Sequence, residues 1–300
     1  MTTESVDSRY ENLDCLETGQ VLDCLLQSQR QAADAVAAVT TELSIAVEAA
    51  RLRLADSAGR LILVGAGASG RLAVQDGAEL WPTYGWPWHR LVLRIAGGDT
   101  ALLSSMDGAE DDVMDANRQV TELGIATTDV VVGLAASGAT PWTCEWLGES
   151  RRLGALTIGF ANNSPSELLQ IAEHAIHLDS GAEVLAGSTR MAAGTAQKIS
   201  LNLFSTSLMV KLNRTYGNLM VDMAATNSKL NGRRLSMIQH ICPQATTENS
   251  QLALDTADGN VKLAVLILKG LDRHAAEALL LKTSGSLRQA LEYCSADKKS

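Results

Sequence analysis

The chain has 300 residues, 46% hydrophobic and 20% charged, with 24 Gly and 5 Pro. This is the make-up of a globular protein with a sizeable core, and it excludes a disordered or low-complexity chain. A net charge of −9 without a long Lys/Arg run argues against nucleic-acid binding, and no apolar run reaches the ~18 residues of a membrane span.

Residues 1–18 are polar and irregular. The Met1–Ser5 start is unlike a signal peptide. The five cysteines, Cys15, Cys24, Cys144, Cys242 and Cys294, are odd in number and form no CxxC pair. Free thiols in a reducing compartment, and hence a cytoplasmic protein, are the expectation. From Gly19 to Asp56 apolar residues recur at helical spacing. The first strand is Leu61–Val64, ending at Gly65. Further short apolar runs are Leu91–Leu93, Val130–Leu134, Leu156–Phe160 and Ala175–Leu178, with helical stretches such as Asp111–Leu123 and Trp142–Leu153 between most of them.

Continuous apolar strands alternating with helices predict an α/β fold whose parallel sheet is covered on both faces. A long helix follows over Met191–Tyr216, then another over Ser228–Ile241. After Pro243 the pattern is that of short helices: Glu248–Ala257, Val261–Leu268, His274–Lys282 and Leu287–Tyr293. The expected organisation is an N-terminal helical segment (1–57), a sheet domain (58–242) and a small C-terminal helical subdomain (243–300).

Parallel sheets bind ligands beyond the C-terminal ends of their strands, and there Gly, Ser and Thr gather. The first strand leads into Gly65-Ala66-Gly67-Ala68-Ser69-Gly70-Arg71. The GxGxxG spacing is compatible with a dinucleotide, a compact phosphate or a structural turn. The window Tyr84–Ile95 lacks the acid that a dinucleotide ribose requires, which favours a phosphate or phosphosugar. Ser137, Gly138 and Thr140 follow the third strand. Ser188, Thr189 and Arg190 open the long helix, where each hydroxyl is equally readable as a cap.

Two carboxylates stand near these turns. Glu79 precedes Trp81, Trp86 and Trp88, which would wall an apolar pocket or pack a dimer. Glu110 lies in Asp107–Asp112. Acid–base work needs such a pair, but each is also explained blandly, Glu79 as a solvated helix residue and Glu110 as a helix-starting acid. His174 and His177 would point to opposite faces of a strand, so no metal site is expected there. Trp142 and Trp146, one helical turn apart, read as core or interface in preference to ligand stackers.

With these motifs in hand, the chain resembles the N-acetylmuramic acid 6-phosphate etherases of the sugar isomerase (SIS) fold. The matching stretches are Gly65–Leu72, Pro82–Gly85, Ile95–Gly98, Asp107–Asp111, Ala135–Gly138, Gly187–Met191, Gly194–Lys198 and Asn218–Asp222. The resemblance implies an SIS-type three-layer αβα sandwich and cleavage of the D-lactyl ether of a sugar phosphate by elimination and hydration, in recycling of cell-wall amino sugars. It implies Glu79 as the acid for departing lactate and Glu110 as the base at C2. Gly67, Ala68, Ser69, Gly70, Ser137, Gly138, Thr140, Ser188, Thr189 and Lys198 would bind the sugar phosphate. It further implies a homodimer and no metal or organic cofactor.

This chain departs from the family at Ala139, usually Arg, at Ala192, commonly Lys, and at Leu80-Trp81, usually Cys-Pro. Each lost charge-assisted contact is worth about 1.5–3 kcal/mol. Either the ligand is a variant sugar phosphate or its carboxylate is met by other groups. Rival readings are a non-catalytic phosphosugar regulator, similar to glucokinase regulatory protein, and a phosphosugar isomerase.

Overall fold

The computed structural model describes residues 2–55, 58–224 and 228–296. The expected segment boundary at residue 57 lies outside them. By internal contacts the chain divides into two compact units, Met1–Ala78 with Trp88–Thr206, and Glu79–Pro87 with Ser207–Ser300.

The chain runs through α1 (Thr18–Ala37), α2 (Thr40–Leu54), β1 (Leu61–Gly65), α3 (Gly67–Ala78), α4 (Leu80–Tyr84), β2 (Leu91–Ile95), α5 (Val113–Leu123) and β3 (Val130–Leu134). It continues with α6 (Pro141–Arg152), β4 (Leu156–Ala161), α7 (Glu167–Ile171), β5 (His174–His177) and α8 (Ala192–Lys211). Five helices close the chain: α9 (Ser228–Ile241), α10 (Thr247–Thr256), α11 (Val261–Leu268), α12 (Arg273–Lys282) and α13 (Leu287–Ala296).

In the first unit the five strands form one parallel sheet in the order β2-β1-β3-β4-β5. Every residue of β1, β3 and β4 is buried, as strands covered on both faces must be. Ile62, Val64 and Val131 share a core with Trp142, Trp146 and Leu147 of α6. The two indoles are fully buried with centroids 6.0 Å apart. Helix α3 lies on β1 and β2, and α2 on β3, β4 and β5, which completes an α/β/α sandwich.

Two helices are shorter than their apolar patterns predict. The helical run after Gly19 breaks at Val39, whose backbone (φ −115°, ψ 19°) leaves the helix, and Thr40 Oγ1 bonds the Ala37 carbonyl at 3.2 Å. Helix α8 stops at Lys211 because Asn213 turns left-handed (φ +61°), and the Arg214 N–H returns to the Met209 carbonyl at 3.0 Å. Asn is among the few side chains that tolerate that position.

The second unit is helical. Met237, Ile238, Leu254, Val261, Val265 and Leu266 centre its core. Helices α10, α11 and α12 begin at Thr246, Asn260 and Asp272, each accepting a backbone N–H three residues on, which satisfies donors the helix itself cannot. All five cysteines are free thiols. Among the described residues no helix is long and apolar enough to cross a membrane.

Candidate active site

In the order β2-β1-β3-β4-β5 the connections leave β1 and β3 toward opposite sides, so a crevice opens beyond the ends of those two strands. The turn after β1 shows how its glycines divide the work. At Gly70 a Cβ would stand 2.6 Å from the Gly65 carbonyl oxygen and 2.7 Å from Ile95 Cγ1. Here glycine is needed so that α3 can press on the sheet. Gly67 has φ +52° and open space around it. Its backbone faces a cavity of about 210 Å³, lined also by Ala66, Arg71, Ala96, Ser104 and Glu110. Ser69 is buried within α3.

Glu110 is exposed in a short 3-10 turn, Ala109–Asp111. It does not cap α5: that part falls to Asp112, whose side chain accepts the Asp115 N–H at 2.9 Å. Glu110 thus stands in the first turn of the 3-10 helix, as a helix-starting acid would, and it also lines the Gly67 cavity. The wall leading to it is tied down by Arg71 of α3. The guanidinium donates to the carbonyls of Ala101 (3.0 Å), Leu102 (3.2 Å) and Ser104 (3.3 Å). Arg71 drew attention in the sequence only as part of the glycine turn, because its partners lie some thirty residues on.

At the end of β3, Ser137 Oγ accepts the Ala139 N–H at 3.1 Å, and Gly138 (φ +69°) turns back to bond Ala135. A Cβ on Gly138 would collide with Ser166. Ser166 is buried and its hydroxyl has no hydrogen-bond partner among the described residues. Thr140 precedes α6 without spending its hydroxyl on the cap.

The loop before α8 holds the most consequential group that sequence reasoning missed. Glu183 is 1% exposed, and its two carboxylate oxygens accept the Ala192 and Ala193 N–H groups at 2.9 Å each. The start of α8 is therefore already occupied by an anion from the protein itself. Any ligand contact from Ser188 or Thr189, both half-buried, falls to their hydroxyls. Ala192, where the family commonly has Lys, is fully buried.

Three cations nevertheless line one cleft of about 370 Å³: Arg71, Arg190 and Lys198, with Ala68 and Thr195. The Lys198 ammonium also meets Asn202. Of the expected binding residues, then, Gly67 shares a cavity with Glu110 and Ala68 shares one with Lys198, while Arg71 borders both. A larger apolar cavity of about 620 Å³ lies between the segment Val6–Leu16 and Glu183–Ala186; of the candidate groups it borders Glu183 alone.

Glu79 belongs to the second unit. It immediately precedes α4, is exposed and makes no side-chain capping bond. The tryptophans expected to wall an apolar pocket or pack a dimer differ in exposure. Trp86 is 1% exposed, with the Arg214 guanidinium 5.6 Å from its ring, and Trp88, in the first unit, is 52% exposed.

Residues 42–148 match the glucokinase regulatory protein N-terminal SIS domain. An N-acetylmuramic acid 6-phosphate etherase of Deinococcus radiodurans is 43% identical over 96% of this chain and 94% of its own length. One from Enterobacter sp. is 43% identical over 97% and 98%, and one from Streptomyces avermitilis 40% identical over 97% and 93%. Solved structures are more distant: a phosphoheptose isomerase from Neisseria gonorrhoeae is 18% identical over 63% of this chain and 97% of its own, with a TM-score of 0.49. Identity sustained over nearly the whole length on both sides means that the chain belongs to the N-acetylmuramic acid 6-phosphate etherase family.

Proposed function

We propose that the protein is a lyase that cleaves the D-lactyl ether of N-acetylmuramic acid 6-phosphate, releasing N-acetylglucosamine 6-phosphate and D-lactate for amino sugar recycling. The observation that carries this reading is the family membership. Exposed Glu110, lining the same cavity as Gly67, supports it.

The sugar ring opens to the C1 aldehyde, which acidifies the C2 proton. Glu110 takes that proton, the C3–O bond breaks, and Glu79 gives a proton to the departing lactate oxygen. The product is an unsaturated aldehyde. Water then adds, with hydroxide going to C3. Glu79, now ionised, takes the proton water gives up, Glu110 returns one to C2, and the ring recloses. Each carboxyl ends in the state in which it began.

The sugar phosphate is held by Gly67, Ala68, Ser69 and Gly70 after β1 and by Ser137, Gly138 and Thr140 after β3. Ser188, Thr189 and Lys198 complete the set. Arg71, Arg190 and Lys198 supply the positive field that Ala139 and Ala192 do not, and meet the substrate's anionic groups. The active form is a cytoplasmic homodimer, for which sedimentation at twice the chain mass is expected.

The test is D-lactate release from N-acetylmuramic acid 6-phosphate by the purified protein and its Glu110→Gln and Glu79→Gln variants. Turnover by wild type and its loss in both variants, with unchanged circular dichroism, is expected. Tight binding of the sugar phosphate without lactate would instead favour the non-catalytic regulator suggested by the match over residues 42–148.

A further inference from the structure

Glu79 stands directly before α4, a helix of only five residues. Its carbonyl accepts the Thr83 N–H at 3.1 Å, so it moves with the turn that follows. That turn is held by a distant stretch of chain. The Pro82 carbonyl accepts the Ala224 N–H at 3.1 Å. The Gly85 carbonyl accepts from Arg214 Nη1 at 3.3 Å. Gly85 is left-handed (φ +61°), and the Asp222 carbonyl lies so close to it that a Cβ would collide. The same Arg214 guanidinium covers the ring of buried Trp86.

The groups that touch the turn are themselves locked by charge. Lys262 of α11 is 5% exposed. Its ammonium donates to Asp222 Oδ2 at 2.6 Å and to the Asn213 carbonyl at 2.8 Å. Arg214 Nη1 lies 3.6 Å from the same Asp222 oxygen. Burial pushes the Asp222 carboxyl up and the Lys262 ammonium down, and the attraction between them opposes both. Apolar residues of similar volume generally serve stability as well as a buried ion pair does. What an ion pair adds is direction. Here it fixes Asp222 and Arg214, which meet Gly85 from the distant stretch of chain.

We infer that Arg214, Asp222 and Lys262 are positioning residues for Glu79: their ion-pair cluster clamps the turn Pro82–Trp86 and, through α4, sets where the Glu79 carboxyl stands. The inference rests on the proposed role of Glu79 as the acid, and it gives the C-terminal helices a part in turnover.

The test compares two leaving groups on the full-length chain. Lactate needs a proton to depart; chloride, in a 3-chloro-3-deoxy analogue of N-acetylglucosamine 6-phosphate, does not. Arg214→Met is expected to lower kcat for lactate release about 100-fold with KM within about twofold, and chloride release within about threefold of wild type. Arg214→Lys should recover part of the loss. Should Arg214→Met fail to fold, Arg214→Lys carries the test, with an expected loss of about tenfold in lactate release and none in chloride release.

Equal losses in both reactions, or an unchanged kcat for lactate, overturn the inference. Glu79→Gln separates it from the reading beneath it. If Glu79→Gln releases lactate normally, the acid role itself fails. If Glu79→Gln loses lactate release alone while the Arg214 variants keep it, only the clamp fails.

Discussion

The carboxylate of Glu183 spans the N–H groups of Ala192 and Ala193, with both bonds at 2.9 Å. A buried carboxylate here answers both the unpaired donors and the positive end of α8. Glu183→Gln keeps one acceptor and loses the charge, so a loss of about 1.5–3 kcal/mol of unfolding free energy is expected in urea titration. A loss under about 0.5 kcal/mol would mean that the charge contributes nothing there.

Arg71 is expected to govern the wall beside Glu110. Its planar fork reaches three carbonyls in the segment Ala101–Ser104, and a lysine ammonium cannot reproduce that spread. Arg71→Lys should lower kcat/KM by about 10- to 100-fold with little change in Tm. Amide exchange over 101–105 should quicken in parallel. Wild-type exchange with wild-type turnover would remove Arg71 from this role.

These two residues show where reading the chain alone stops. The strands β1, β3 and β4 were legible because buried parallel strands are short unbroken apolar runs, and small or hydroxylated residues follow the first, second, third and fifth strands. Trp142 and Trp146 read as core or interface from their spacing, and the structure buries both in the core. Glu183 had no such signal. A lone acid between Ala182 and Val184 resembles any solvated residue, and its partners are brought to it by the path of a loop. The short helices α4 and α7 carry too few residues to show a period. The α8 pattern overran because a left-handed Asn leaves no mark on hydrophobic spacing.

The glycines after β1 should separate by experiment. Gly70→Ala places a methyl against backbone at 2.6 Å, which neither α3 nor β1 can relieve without moving, so a loss of about 3 kcal/mol or more is expected. Gly67→Ala meets open space and bears only the strain of its positive φ, about 1–2 kcal/mol. Its larger effect should be on affinity, read as weaker protection of the fold by N-acetylglucosamine 6-phosphate in thermal melts. Equal destabilisation by the two would refute this division.

Asp129 should govern stability without touching catalysis, because it lies just before β3, at the sheet edge opposite the candidate site. It is 1% exposed and accepts from Arg60 Nη2 at 2.5 Å and from the Arg60 and Ala126 N–H groups at 2.9 Å each. Burial alone would raise its carboxyl, but the Arg60 guanidinium and the two N–H groups outweigh it, and the group is held below the ordinary carboxylate range. The folded state thus binds this proton less readily than the unfolded chain. The resulting stabilisation is complete above the unfolded value of about 3.9 and fades as pH falls through the lower folded value. Asp129→Asn should cost about 2–4 kcal/mol at neutral pH, with kcat unchanged. Urea unfolding at several pH values checks this. The gap between wild type and variant should hold from about pH 7 to 5 and narrow below about pH 4; a gap that stays constant down to pH 3 would assign the loss to packing instead of charge.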